Sequence, residues 1–299
     1  MIEIEGGIMQ EPTGCAHLQR AALDRRRFVM TGLISGFTLA TARAEAEPIH
    51  TDAAGLVAGE ASIPVGGGLS MPAYFARPAT GGTLPVVLVN EEIFGIHEYM
   101  HDICRRLAKQ GYLAAAPEIY FRNAEFPHMT ESGQIFREVI QRTPDAQVMA
   151  DLDATLAWAG ANHGDAGRVG VVGFCRGGRN TWLYAAHNPG LKAAVAFYGP
   201  LGGAVTDIQP KTALDVAGDI HCPLLGLYGG QDASIPVDAV RAAEARAKAA
   251  GKTVEIVIYP DAGHGFHADY RPSYNRAAAE DGWRRMLAWF GRYGIAPQS

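Results

Sequence analysis

Residues 168 to 178 read Arg-Val-Gly-Val-Val-Gly-Phe-Cys-Arg-Gly-Gly. An apolar run without polar alternation is a strand covered on both faces, as parallel sheets require. It passes directly into Gly173-Phe174-Cys175-Arg176-Gly177-Gly178, after which the pattern becomes helical. A strand that turns into a helix this abruptly leaves little room beside the turn. Flanking glycines supply that room, and the residue between them is lifted above the sheet edge. That residue is Cys175. The stretch calls for a parallel sheet with helices against it, and it puts a thiol at the carboxyl edge, where open α/β sheets bind ligands.

The rest of the chain keeps this rhythm. "LVAGEASIPV" and "LSMPAYFARP" around three glycines predict a hairpin, "LPVVLVNEE" a buried strand, and "EYMHDICRRLAKQGY" a helix with Ile103 and Leu107 on its inner side. "LAAAPEIY" predicts the next strand and residues 144–162 a long helix. After the Cys175 strand and its helix come strands at "KAAVAFYG", "PLLGLYGG" and "TVEIVIYP", a helix at "VDAVRAAEARAKAAG", and a closing helix near the C-terminus. Strands separated by helices pair in parallel through right-handed crossovers. The expected architecture is one mostly parallel, doubly wound α/β domain over residues 47–299, with an antiparallel start and helices on both faces. An apolar content of 48% in 299 residues suits so large a core. The formal net charge of -5 has no basic footprint, so the expected partner is a small molecule and not a nucleic acid.

Residues 1–46 read differently. "DRRRFVMTGLISGFTLATARAEAEP" joins Arg25, Arg26 and Arg27 to Phe28, then runs through a mildly apolar stretch to Ala42-Arg43-Ala44. It resembles a twin-arginine export signal with an Ala-x-Ala cleavage pattern, so the expected location is the periplasm, or the cytoplasm if the segment is not processed. No stable membrane insertion is expected after its removal. Cys15 falls in this segment. Cys104, Cys175 and Cys222 remain, too few and too odd in number for a disulfide scaffold. Cys104 within a helix and Cys222 before a strand read as small buried hydrophobes.

Cys175 has company. "LYGGQDASIP" puts Asp232 in the loop after one strand and "YPDAGHGFHADY" puts His264 in the loop after the next. Both loops open at the edge that presents Cys175, and the order nucleophile, acid, histidine is that of the α/β-hydrolase triad. In such an arrangement the imidazole moves the proton while the carboxylate holds its tautomer. A helix N-terminus behind Cys175 favours thiolate. Glu91 and Glu92 also lie at a strand's carboxyl end.

The segments "NEEIFGI", "GFCRGG", "GGQD" and "AGHGF" resemble the motifs of the dienelactone hydrolase (carboxymethylenebutenolidase) family, over roughly residues 60 to 293. The resemblance implies an α/β-hydrolase fold, a Cys175-His264-Asp232 triad, no metal or other cofactor, and hydrolysis of an enol-lactone or related ester through a thioester. It implies that Glu92 contacts the thiol and helps to ionise it when substrate arrives. It implies oxyanion donors at the backbone amides of Arg176 and Ile93, the first of which also follows from the elbow. Arg122 matches one arginine that reads a substrate carboxylate in the family. The second such position falls on Ala268, leaving Arg271 as a replacement or as a surface partner of Asp269. A broader esterase or thioesterase, and a non-catalytic thiol sensor, are the competing functions; retention of Asp232 and His264 speaks against the sensor.

One motif points elsewhere. His97-Glu98-Tyr99-Met100-His101 has the His-Glu-x-x-His spacing of zinc hydrolases. The extended form needs Gly and His where this chain has Cys104 and Leu107, so no third ligand follows. A solvated face of the helix after the "VVLVNEE" strand accounts for it.

Overall fold

The structure is a computed structural model that describes residues 47–297. The export-signal reading, with Arg25 to Arg27 and Ala42-Arg43-Ala44, lies outside the described residues. Within them the elements run β1 (Leu56–Pro64), β2 (Ser70–Pro78), β3 (Leu84–Asn90), α1 (Glu98–Lys109), β4 (Leu113–Pro117), α2 (Ser132–Glu138) and α3 (Asp145–Ala161). They continue as β5 (Gly164–Phe174), α4 (Arg176–His187), β6 (Ala193–Phe197), α5 (Ala213–Val216), β7 (Leu224–Gly229), α6 (Val237–Ala249), β8 (Val254–Tyr259) and α7 (Arg276–Arg292).

The eight strands form one sheet in the order β1-β2-β4-β3-β5-β6-β7-β8. The β1–β2 hairpin is antiparallel and joins the sheet by pairing β2 antiparallel to β4, while the remaining neighbours are parallel. This is the α/β-hydrolase arrangement expected from the sequence. The chain moves from β3 one way to β4, then back across to β5, so β3 and β5 flank the point where the winding reverses. Right-handed crossovers in opposite directions place helices on opposite faces. A crevice opens outside the carboxyl ends of these two strands. The connection from β6 to β7 departs from the simple alternation, because its one helix, α5, has only four residues.

Burial explains the strand composition. Val86, Val87, Leu88 and Val89 of β3 and every residue of β6 have no more than a trace of exposure. These central strands are sandwiched between helices, and their sequences are accordingly continuous apolar runs. Edge strand β1 alternates instead. Cys104 and Cys222 are buried, and burial pushes both thiols up, Cys222 to about 12. No helix among the described residues is long and apolar enough to cross a membrane.

The tightest packing in the sheet surrounds the turn after β5. A Cβ built on Gly177 would come within 2.3 Å of the carbonyl oxygen of Asn90 and 2.5 Å of that of Glu91, and one on Gly173 within 2.1 Å of the Gly177 carbonyl oxygen. All of these neighbours are backbone, which cannot swing away. Gly177→Ala should therefore cost about 1 to 3 kcal/mol of unfolding free energy in urea titrations. Gly160→Ala, in α3 with its nearest neighbour at 4.0 Å, should be neutral or slightly stabilising. Equal midpoints for the two variants would show that the turn is not the tight contact described.

Candidate active site

Cys175 occupies the turn between β5 and α4 with φ 53° and ψ -120°. A residue with a side chain adopts such a backbone at a cost of about 1 to 3 kcal/mol unless its surroundings hold it there. Here its N–H donates to the Phe197 carbonyl at 3.1 Å, and its own carbonyl accepts from the amides of Gly178 at 2.9 Å and Arg179 at 3.3 Å. The turn is thus stitched to β6 on one side and to the first turn of α4 on the other. The backbone amides of Arg176 and Ile93, the donors expected for an oxyanion, have no acceptor among the described residues.

Asp232 sits in the turn after β7 and His264 in the turn after β8, and both reach the elbow. His264 Nε2 lies 3.2 Å from Cys175 Sγ, and His264 Nδ1 lies 2.7 Å from Asp232 Oδ2. Ser234, two residues beyond Asp232, holds the other carboxylate oxygen from both its amide, 2.9 Å, and its hydroxyl, 2.6 Å. Burial alone would push the His264 pKa down. The bonds to Asp232 and Cys175 outweigh it and raise the imidazole to about 10, so its proton is retained at neutral pH. For Asp232, burial acts to raise the carboxyl, but the bonds from His264 and Ser234 prevail and hold it below its ordinary value. The Tyr198 ring meets the His264 ring edge to face at 5.2 Å and fixes its tilt. An imidazole with one nitrogen on a carboxylate and the other on a thiol can carry a proton to and from sulfur.

Glu92, at the end of β3, has other partners than the thiol. Its fully buried carboxylate accepts from the Tyr270 hydroxyl and pairs with the Arg271 guanidinium at 3.1 Å, with His97 Nε2 at 3.9 Å. Arg271 Nε donates to the Tyr270 oxygen at 3.0 Å, and its guanidinium lies over the Phe94 ring. In this structure Cys175 faces His264, while Glu92 is turned to a cation and a phenol that satisfy its charge. Arg271 is likewise an inner residue and not a surface partner of Asp269, which pairs with Arg106.

Arg122 is also committed. Its guanidinium bonds both oxygens of buried Asp151 at 2.7 and 2.8 Å, and a guanidinium neutralised by a fork-to-fork pair has little left for a substrate carboxylate. Of the His-Glu-x-x-His stretch only Glu98 lies on a solvated face. His97 precedes the first turn of α1 and is buried against the Tyr270 ring, where burial, then Arg271 and His101, push it down to about 3. His101 stacks on Tyr74 at 4.1 Å, and Glu98 turns to Arg105. Among the described residues no group of three or more His, Cys, Asp or Glu side chains converges as a metal site.

Two further acids stand behind the site. Continuing the β3–β4 register beyond Leu88↔Ala115 brings Glu91 opposite Glu118. Glu91 Oε1 accepts the Ile119 amide at 2.9 Å, and Glu118 Oε2 accepts the Ile96 amide at 3.1 Å. The remaining oxygens, Glu91 Oε2 and Glu118 Oε1, have no partner in the absence of a proton. Burial is the largest influence on both, and it raises Glu118 to about 7 and Glu91 well above its ordinary value, the nearby Glu118 carboxyl adding to the latter. With no arginine or lysine paired to either, the two share a proton between the orphaned oxygens. The shared proton ties the loop after β3, which carries Ile93, to the end of β4. Sequence reading missed Glu118, Ser234 and Tyr270. The Asp-x-Ser spacing of Asp232 and Ser234 was a local signal for one of them; the other two meet their partners only across the fold.

The model of the dienelactone hydrolase family matches residues 71–294. A relative from Methylorubrum extorquens, assigned as a carboxymethylenebutenolidase, is 52% identical over 279 residues, 93% of this chain and 96% of its own. One with the same assignment from Escherichia coli is 52% identical over 261 residues, 87% of this chain and 96% of its own. A crystal structure from Klebsiella pneumoniae, assigned as a dienelactone hydrolase, has a TM-score of 0.78 and 54% identity, covering 80% of this chain and 99% of that one.

The carboxyl pair makes a pH prediction. A carboxyl raised in the folded state stabilises the protein below its unfolded pKa, and that contribution is lost as pH rises through the folded value, here about 7 for Glu118 and higher still for Glu91. Glu91→Gln replaces the shared proton with an amide donor that does not titrate. Its unfolding free energy should therefore gain on that of the unsubstituted protein by about 1 kcal/mol or more between pH 5 and pH 8. Parallel stability curves over that range would contradict the shared proton.

Proposed function

The chain belongs to the dienelactone hydrolase family and is a hydrolase acting on a small molecule, and we propose that it cleaves an enol-lactone or related carboxylic ester through Cys175, His264 and Asp232. The observation that carries this reading is the unbroken line of contacts from Asp232 through His264 to Cys175 Sγ, at 2.7 and 3.2 Å. Sulfur attacks the acyl carbon, the carbonyl oxygen becomes an oxyanion, and the proton from sulfur resides on His264 Nε2. The unpaired amides of Arg176 and Ile93 are the donors available to that oxyanion. Collapse breaks the acyl C–O bond, His264 gives its proton to the leaving oxygen, and a thioester remains on Cys175. A water then attacks the thioester, His264 takes its proton and returns it to sulfur, and the acid product leaves. Asp232 keeps the imidazole oriented and stabilises its charged form throughout.

In this scheme Glu92 holds Arg271 and Tyr270 in place beside the elbow, and it would have to leave both to reach the thiol. The protonated imidazole at His264 supports activation of sulfur without that movement. We also propose, on Arg25, Arg26 and the Ala42-Arg43-Ala44 pattern, that the chain is exported. Replacing Arg25 and Arg26 together by lysine should then retain it in the cytoplasmic fraction on immunodetection, and unchanged partitioning would overturn that proposal.

Brief exposure to an activated ester should leave one acyl adduct, found by intact-mass analysis and located on Cys175. Cys175→Ala should lower kcat/KM by at least about 10³-fold while the fold persists. An adduct on Cys104 or Cys222, or undiminished turnover in Cys175→Ala, would defeat the assignment. A panel of enol-lactones against open-chain esters and thioesters separates a lactonase from a broader esterase, the former expected to show a clear kcat/KM preference for the ring.

A further inference from the structure

The second oxyanion amide, that of Ile93, belongs to a short loop that runs from the end of β3 to the start of α1. A backbone donor serves a transition state only if it is held to within about 0.5 Å of its productive place. The loop does not hold itself: the amides of Ile93, Phe94 and Gly95 bond to no backbone acceptor among the described residues. Its anchors are two carboxyls. Glu91, where the loop begins, accepts the Ile119 amide at 2.9 Å, and Glu118, just past β4, accepts the Ile96 amide at 3.1 Å. Between them Gly95, at φ 80°, passes so close to Glu118 that a Cβ there would stand 3.0 and 3.2 Å from its two oxygens. Ile93 therefore lies on a span bracketed at both ends by this pair.

What joins the two anchors is a single proton. Glu91 Oε2 and Glu118 Oε1 are buried and have no other partner among the described residues. Without a proton they are two anions in a medium that screens charge poorly, and they repel. With one, they form a charge-assisted O–H···O bond, which is short and strong. Burial raises both carboxyls, Glu118 to about 7 and Glu91, with the Glu118 charge adding, well above its ordinary value. The surroundings supply no cation in its place. The Tyr120 phenol feels both carboxyls and is kept un-ionised by burial. On α4, Arg176 is set against Asp145; beside the loop, Glu92 is paired with Arg271, and His97 packs on Tyr270.

We propose that Glu91 and Glu118 are positioning residues for the reaction: a proton held between them clamps the Ile93 loop to the end of β4 and sets the Ile93 amide where the oxyanion develops. The proposal rests on the hydrolytic reading, since without acyl transfer there is no oxyanion to meet. Neither carboxyl touches the substrate. When the proton leaves, two facing anions push apart, Glu118 draws the Ile96 amide with it, and the span that carries Ile93 loses a fixed end. A carboxyl pair raised in this way keeps its proton on the acid side, so the clamp opens as pH rises. The interaction lost is one made in the transition state alone, so kcat and kcat/KM fall together while KM stays.

Two reactions of Cys175 in the full-length protein separate the clamp from the thiol. Hydrolysis of an activated neutral ester needs the oxyanion donors. Alkylation by iodoacetamide does not: sulfur bonds to the methylene carbon, the C–I bond breaks and iodide leaves, with no oxyanion formed. Glu91→Leu, which removes the proton bridge, should lower kcat and kcat/KM alike by roughly tenfold to a hundredfold, part of what a whole oxyanion donor contributes. Its KM and alkylation rate should stay within about twofold. Glu91→Gln, whose amide donates to Glu118 and does not titrate, should restore kcat to within a few-fold. In the unsubstituted protein kcat/KM divided by the alkylation rate should fall between about pH 7 and pH 10, and in Glu91→Gln it should stay level. Hydrogen exchange of residues 92–97, corrected for its intrinsic rise with pH, should lose protection in Glu91→Leu and keep it in Glu91→Gln. A quotient equally level in both proteins, or a Glu91→Leu loss that falls on KM or on alkylation, overturns the proposal. If Glu91→Leu does not fold, the two pH profiles decide. A protein that hydrolyses no ester refutes the hydrolytic reading, and with it the part given to Ile93; the exchange data then decide the clamp by themselves.

Discussion

Gly177 lies so near the end of β3 that a methyl group there would stand 2.3 Å from the Asn90 carbonyl oxygen, and Gly173 is as closely set against Gly177. This contact of backbone on backbone joins the start of α4 to the end of β3 with no side chain between them. It also holds the strained backbone of Cys175 at φ 53°. A site assembled from loops alone would have to pay for that precision in ordering entropy; here it is inherited from close packing at the switch point of the sheet.

Around that contact the protein buries more charge than a core of this size tolerates unpaired, and the pairing assigns each residue its part. Glu92 is matched by Arg271 and Tyr270, Asp151 by Arg122, and Asp145 by Arg179. Glu91 and Glu118 have no cation and are balanced by a proton. Each match removes a group from the set available to a ligand. What is left at the elbow is the His264 imidazole on the thiol and the backbone amides of Arg176 and Ile93, which have no acceptor among the described residues. Their common sign is positive or hydrogen-donating, which suits a reaction that develops negative charge on oxygen.

The fold was legible almost strand by strand. Apolar runs without alternation, such as residues 86–89, can only be central strands, and the glycines around Cys175 announced the turn that closes β5. The pairing of β2 with β4 was not legible, because register between strands distant in sequence depends on which faces the helices cover. Cys175, Asp232 and His264 were legible for a related reason: each comes directly after a strand, and parallel strands deliver the turns at their carboxyl ends to one edge.

The partners of charged side chains were a different matter. Arg122 and Arg271 carry the same chemistry in the sequence, yet one is bound to Asp151, and the other to Glu92 and not to Asp269. His97 reads as a solvated or metal-binding residue and is buried against Tyr270. The sequence by itself determined the architecture and the order of reactive groups along the sheet edge, because periodicity and turn chemistry are local. Only the tertiary structure decided which acids meet which bases, since long side chains from distant strands choose partners by proximity in three dimensions, and the cost of burying an unmatched charge makes that choice binding.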